Sequence, residues 1–110
     1  MKLCLLWKDI DGNVYKLGTL SKDEKYIFIL DKEEYQNAMK NGCAGIGNLV
    51  KENQESDTLF QFFKERIPGK ESPRLKIFLN LFNLEYYDDM ELLRRSEGRV
   101  TTDRFFLKEV

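Results

Sequence analysis

The sequence predicts an α+β fold: a small antiparallel sheet, built from an N-terminal three-strand meander plus a C-terminal strand, with about three to four helices packed on one side. Three observations support this prediction. The first 30 residues hold three β-type segments separated by turn signals, the second half holds helical patterns with capping residues, and the last residues return to a β-type pattern. Because 110 residues is about the length of one domain, we predict a single domain over residues 1–110.

The strands of the meander are marked by alternating apolar residues and by turns. The first strand shows the period-2 pattern of one buried face, with the alternating residues Leu3, Leu5 and Trp7. Asp11-Gly12 is a strong turn signal. Two more strands, Val14–Ser21 and Lys25–Leu30, follow it, and the run YIFIL is β-branched and aromatic enough for a central strand. The last strand, 103–109, is expected to pair back into this sheet.

The first helix is predicted to follow Asp31, which can cap it, and to end at Asn41-Gly42. The apolar residues on one side of this helix are Tyr35, Ala38 and Met39. The next segment, GCAGIGNLV, has three glycines but neither the Lys-Ser/Thr ending of a phosphate-binding loop nor the dinucleotide spacing. An irregular turn or a short strand is therefore favoured there.

Three further helices are predicted in the second half of the chain. The residues expected to start them are Ser56 or Asp57, Ser72-Pro73, and Asp88 or Asp89. The first of these helices has an apolar face formed by Leu59, Phe60, Phe63 and Ile67. The last carries Met90, Leu92 and Leu93 and is expected to end at Gly98.

The charge balance and the N-terminus restrict where the protein acts. Lys+Arg of 18 against Asp+Glu of 19 give a net charge of −1, so bulk electrostatics predicts no direct binding to nucleic acid or to an acidic membrane. The start, MKLCLLWKD, has too short an apolar run for a signal peptide, and no stretch approaches a membrane span. We expect a cytoplasmic protein.

Catalytic chemistry has little support in the sequence. The chain has no histidine, which removes the commonest general base and metal ligand. Cys4 and Cys43 lie too far apart for a CxxC motif and are predicted to be buried free thiols. The carboxylate pairs Glu33-Glu34 and Asp88-Asp89 open predicted helices, where negative charge favours capping over acid–base catalysis. We therefore predict no catalytic residue, no cofactor and no metal site.

The segment Leu75–Leu84, LKIFLNLFNL, is the first candidate for binding. Its apolar residues form two helical stripes, one made of Leu75, Phe78, Leu79 and Phe82 and the other of Ile77, Leu81 and Leu84. A helix that is apolar on both sides must be covered on both sides. The second stripe is either packed internally, which is favoured, or covered by a partner.

The arginines are the second candidate. All six lie at or after position 66, and four of them are Arg94, Arg95, Arg99 and Arg104. This group could contact phosphate or an acidic partner, since arginine suits both. The alternative, which is favoured, is a solvated helix end whose cations complement the helix dipole.

In their order, these elements resemble the N-terminal subdomain of HipA-type proteins, the bacterial toxin kinases of toxin–antitoxin modules. That subdomain has a first strand with an aromatic residue, then strands matched here by LGTLS and YIFIL. Its helix of the type LFxFFxxxxP is matched by LFQFFKERIP, and its segment DxxELLRxxGGR with a final strand is matched by DDMELLRRSEGRVTTDRFFL. The resemblance covers about Leu3 to Leu107. The sequence departs from the family's usual Gly-Gly at Glu97-Gly98 and from its frequent Leu-Pro at Val100-Thr101.

The resemblance implies a non-catalytic regulatory protein, because the ATP-binding and catalytic residues of the family's kinase core are missing. Split systems in the family pair a small HipS-like protein with a HipT-like kinase and a HipB-like DNA-binding protein, and the small protein can act as the antitoxin. The implied partner is a HipA/HipT-like kinase, with a HipB-like protein as a further member of the complex. The alternative is an accessory protein in an operator complex. Trp7 matches the strand-one aromatic and is assigned to the core. The candidate partner-binding residues are Ile77, Leu81, Leu84, Arg94, Arg95 and Arg99.

Overall fold

The computed structural model describes residues 1–51 and 53–110. It confirms the α+β class, with an antiparallel five-stranded sheet in the order β4-β3-β2-β1-β5 among the described residues. The strands are β1 (Lys2–Lys8), β2 (Val14–Lys22), β3 (Tyr26–Leu30), β4 (Asn53–Ser56) and β5 (Phe105–Glu109). The helices are α1 (Lys32–Lys40), α2 (Gln61–Lys64), α3 (Leu75–Leu81) and α4 (Asp89–Ser96).

The predicted meander and the predicted return of the C-terminal strand are both confirmed. β1 pairs antiparallel with β2 on one side and with β5 on the other, where Leu3 lies opposite Glu109 and Trp7 lies opposite Phe105. The turn between β1 and β2 is closed by Asp9, whose Oδ1 accepts from the backbone N–H groups of Asp11 and Asn13 at 2.9 Å each. Strands from the two ends of the chain are therefore neighbours in the sheet.

The fifth strand, β4, was not predicted. It pairs antiparallel with β3 at the edge of the sheet, and its sequence, NQES, is entirely polar. Because all four residues are polar, β4 has no alternation of apolar and polar residues, and its residues are half-buried or exposed. Only its pairing with β3 makes it a strand.

The core lies on one face of the sheet and is closed by the helices. One apolar cluster joins inward-facing strand residues to buried residues of α1, α2 and α4. The strand members include Leu3, Leu5, Trp7, Leu20, Phe28, Phe105 and Leu107, and the helix members include Ala38, Phe63, Met90, Leu92 and Leu93. Cys4 and Cys43 are buried free thiols, as predicted.

Two helices begin and end as the sequence predicts. The Asp31 carboxylate caps α1 by accepting from the Glu34 N–H at 3.1 Å, and the Asp88 carboxylate caps α4 through the Glu91 N–H at 3.2 Å. The last turn of α4 leads into Glu97 and Gly98, both at φ 58°. Glu97 therefore takes up the left-handed conformation that glycine adopts most easily at a helix end. On α1, Ala38 is buried and Tyr35 is partly buried against the core, whereas Met39 is 46% exposed.

Helix α2 differs most from its prediction. It spans only four residues and its N-cap is Phe60, with no side-chain capping bond, so the expected cap at Ser56 or Asp57 is wrong. Ser56 is still part of β4, paired with Tyr26, and its hydroxyl accepts from the Thr58 N–H. A residue held in a strand ladder cannot also cap a helix that begins five residues later.

The glycine-rich segment contains an irregular stretch followed by a 3₁₀ turn at Gly47–Val50, which agrees with the expected irregular turn. Its apolar residues Ile46 and Leu49 are buried in the core. Among the described residues, none of the helices has the length and apolar character needed to cross a membrane.

Candidate functional site

Helix α3 lies on the surface of the domain. Ser72 and Pro73 lie in the turn before it, where the Ser72 hydroxyl accepts from the Arg74 N–H at 3.2 Å. None of the seven helical residues is fully buried. Its inner side rests on the core through partly buried residues, which are Leu75, Phe78 and Leu79. The opposite side faces solvent.

That outer side carries two large aliphatic residues. Ile77 is 70% exposed and Leu81 is 69% exposed, and they are four residues apart, so they are neighbours on the helix surface. The favoured expectation that the second stripe packs internally is therefore wrong for these two residues. The physical reason is that α3 rests on the core by one side only, and no element of residues 1–51 or 53–110 buries the other side.

The third member of the stripe, Leu84, is placed differently. The chain turns at Asn83, which has a φ of 58°, and the Leu84 N–H donates back to the Leu79 carbonyl at 2.9 Å. This turn brings Leu84 against the core, where it is partly buried. The exposed apolar pair on α3 therefore consists of Ile77 and Leu81.

Arg95 ties helix α4 to the end of α3. Its Nη1 donates to the carbonyl oxygens of Phe82 at 2.8 Å and Asn83 at 2.9 Å, and its Nε donates to Glu91 at 3.0 Å. A cation at free helix carbonyls is favourable because those groups carry the negative end of the helix dipole. Arg95 thus holds the C-terminal end of α3, the helix that carries the exposed apolar pair, against α4.

Arg94 and Arg99 also have partners within the chain. Arg94 binds Glu91 at 2.9 Å and lies 3.9 Å from Glu109. Hydrogen bonding from Arg94, together with that from Arg95, lowers the pKa of Glu91. Arg99 donates to Glu97 at 2.7 Å, and its guanidinium lies 4.4 Å from the Phe106 ring centroid. These pairs compensate much of the positive charge that the sequence suggested for a docking surface.

Arg66 is a buried charge that the sequence reasoning did not single out. It is 6% exposed and makes two hydrogen bonds to the Asp103 carboxylate, one of them from Nη1 at 3.0 Å. Its guanidinium carbon lies 4.9 Å from the Phe62 ring centroid and 5.4 Å from that of Phe105. Its Nε has no hydrogen-bond partner among the described residues. Burial lowers the pKa of Arg66, and Asp103 opposes that effect.

A signal for Arg66 was present in the sequence. Arg66 follows Phe62 by four residues and Phe63 by three, the spacings at which side chains share one face of a helix. A charge on an apolar face calls for a partner in the fold. The partner, Asp103, is 37 residues away along the chain, and local patterns do not identify such distant pairs.

Both cysteine thiols are buried and hard to deprotonate. Burial raises the pKa of the Cys43 thiol to about 11 and also raises the pKa of Cys4. A thiol with a raised pKa is a poor nucleophile at neutral pH. In the part of the chain that the structure describes, no group of three or more His, Cys, Asp or Glu residues is placed to hold a metal ion.

Comparison with known proteins does not place the chain. No protein-family model, no curated protein and no solved structure matches it. The α+β fold and the exposed apolar pair on α3 are thus the observations on which a function can be built.

Proposed function

We propose that this protein is a non-catalytic binding protein that docks through α3 onto a HipA/HipT-like Ser/Thr kinase and restrains it, as part of a bacterial toxin–antitoxin module. The observation that carries this proposal is the exposed pair Ile77 and Leu81. The kinase as partner rests on the resemblance of the ordered motifs from LLWKD to RFFL to the N-terminal subdomain of that family.

The energetics of the pair favour a partner. Covering a fully exposed Leu or Ile side chain stabilises a complex by about 1.5–3 kcal/mol, so two adjacent ones can form the centre of an interface. The neighbours Lys76 and Asn80 are exposed and polar, as expected at the rim of such a contact. An apolar helix side placed in a groove of the partner is a recurring mode of recognition.

The arginines fit this proposal better than they fit operator binding. Arg94, Arg95 and Arg99 are engaged by Glu91, Glu97 and backbone carbonyls, so their charges are largely compensated. A net charge of −1 adds no attraction for DNA phosphates. Arg95 instead supports docking indirectly, because it fixes the end of α3.

Co-purification with the kinase-like product of a neighbouring gene tests the proposal. We expect the wild-type chain to bind that kinase and to lower its autophosphorylation, and the double variant Ile77→Glu/Leu81→Glu to lose both effects. Because both side chains already face solvent, the double variant should keep the circular-dichroism spectrum and thermal midpoint of the wild type.

Ile10→Glu is the matched control. Ile10 is another exposed aliphatic residue, 83% exposed, but it lies in the β1–β2 turn and should tolerate the same substitution without loss of binding. Undiminished binding by a folded double variant would contradict docking through α3. The absence of any kinase-like reading frame beside the gene would remove most of the support for the kinase as partner.

A further inference from the structure

Three of the six arginines line one cleft. The cleft has a volume of about 420 Å³ and lies between the end of α2, the start of α3 and the turn that follows α4. Its arginines are Arg66, Arg74 and Arg99. They come from three separate parts of the chain, so the fold brings them together. This volume is within the range of small-ligand sites.

The three guanidinium groups differ in how many of their N–H donors are used in hydrogen bonds within the chain. Both Nη groups of Arg66 are used by Asp103. Arg99 uses its Nε for Glu97, and its Nη groups make no hydrogen bond within the described residues. Arg74 is exposed, and its side chain has neither a hydrogen bond nor an ion pair among those residues. Arg74 and Arg99 therefore have free donors at one cleft.

The remaining lining suits an oxyanion. Thr101 and Thr102 are exposed and add two hydroxyl groups to the cleft. The lining also includes Glu65, whose carboxylate accepts from Gln61 at 3.3 Å. Asp103 compensates Arg66, and Glu97 is shared between Arg99 and Lys108. Arg74 adds a positive charge and Glu65 a negative one, so the free N–H donors of Arg74 and Arg99, rather than a large net charge, are what the cleft offers an oxyanion.

We propose that this cleft binds a phosphate group, held by the Arg74 and Arg99 guanidinium groups and by the hydroxyl groups of Thr101 and Thr102. Two guanidinium forks and two hydroxyls offer more donors than the two oxygens of a carboxylate can accept, whereas a phosphate has three or four acceptor oxygens. Arginine is also the residue best matched to phosphate geometry. The site does not depend on docking through Ile77 and Leu81.

Titration of the ¹⁵N-labelled full chain with inorganic phosphate, followed by NMR at constant ionic strength, tests the proposal. We expect saturable shifts at the amides of Arg74, Thr101 and Thr102, and a much smaller response to acetate. Phosphoserine in place of inorganic phosphate distinguishes the source of the group, since tighter binding of phosphoserine would indicate a phosphorylated protein.

Arg74→Gln removes the guanidinium that lacks a partner and breaks no ion pair of the described chain, so the variant should fold. We expect it to bind phosphate about tenfold more weakly, the effect of losing one charge-assisted hydrogen bond. Lys76→Gln removes a single positive charge from α3, two residues further along the chain and outside the cleft, and should bind phosphate like the wild type. Shifts without saturation, an equal response to acetate, or equal weakening by both variants would overturn the proposal.

Discussion

At the scale of single residues, the Arg66–Asp103 pair is the strongest test of the packing. The Arg66 side chain is 4% exposed and Asp103 is 30% exposed, so removal of the carboxylate leaves a buried charge without its partner. We expect Asp103→Leu to lower the free energy of unfolding by about 3 kcal/mol or more, as is typical for broken buried pairs. Urea denaturation at neutral pH measures this loss.

The double variant Arg66→Met/Asp103→Leu provides the control for that experiment. It removes both charges and leaves an apolar side chain between the Phe62 and Phe105 rings, so it should recover most of the lost stability. If the double variant loses as much stability as Asp103→Leu and Arg66→Met lose together when each is measured alone, the two residues are not coupled.

The Asp9 carboxyl should make the stability of the fold depend on pH. Desolvation raises the pKa of this buried carboxyl, but hydrogen bonds from the backbone and side chain of Asn13, the Tyr15 hydroxyl and the Asp11 N–H outweigh that effect and lower the pKa overall. A carboxyl with a lowered folded-state pKa stabilises the fold above its unfolded pKa of about 4, and this contribution is lost as the pH falls through the folded pKa.

We therefore expect Asp9→Asn to be less stable than the wild type at pH 7, with the difference shrinking below about pH 4. Thermal unfolding at pH 7 and pH 3 measures both values. Asp11→Asn, an exposed change in the same turn that keeps the Asp9 carboxyl, is the control and should lower the thermal midpoint at pH 7 much less than Asp9→Asn does. If the difference in thermal midpoint between the wild type and Asp9→Asn is the same at both pH values, the charge of the Asp9 carboxylate does not contribute to stability.

At the scale of elements, capping and alternation predicted much of the fold. Strands β1, β2, β3 and β5 and helices α1 and α4 carry their own signals. The strands have alternating apolar residues or a short apolar run rich in β-branched and aromatic residues, and each of the two helices has an aspartate cap. Strand β4 could not be predicted, because its polar residues are a strand only through pairing with β3. The brevity of α2 has a similar cause, since Ser56 belongs to that strand.

The candidate site could be predicted only in part. The two apolar stripes of Leu75–Leu84 were visible in the sequence, but which stripe faces solvent depends on how α3 rests on the core. The arginines were also visible as a group. Their partners, such as Glu91 for Arg94 and Asp103 for Arg66, decide which of them remain free. Glu91 and Arg94 are three residues apart on one helix, a spacing that a sequence shows. Asp103 is 37 residues from Arg66, so only the folded chain shows that pair.

One capping hydrogen bond at the start of α4 should make a measurable contribution to the free energy of unfolding. The Asp88 carboxylate accepts from the Glu91 N–H, and the helix that it starts places Leu92 and Leu93 in the core. We expect Asp88→Ala to lower the free energy of unfolding by about 1 kcal/mol. Asp88→Ser keeps a capping oxygen and should lower the free energy of unfolding much less. Chemical denaturation of the two variants compares them, and equal losses would contradict a capping role.

At the scale of the whole molecule, the sheet and α3 differ in how firmly they are held. β1 is hydrogen-bonded on both edges, to β2 and to β5, and its residues Leu3 and Leu5 are completely buried. Helix α3 has seven residues, none of them fully buried. Local stability follows the amount of buried apolar contact, so α3 should open more easily than the sheet.

Native-state hydrogen exchange of the full chain should show this difference. We expect the amides of β1 to exchange only through global unfolding, and those of α3 to exchange through a local opening whose free energy is lower than that of global unfolding. Addition of the proposed kinase partner should slow exchange in α3 first, because the proposed docking would cover Ile77 and Leu81. Slowing confined to the sheet edges would mean that the partner binds elsewhere, since an interface protects the backbone that it covers.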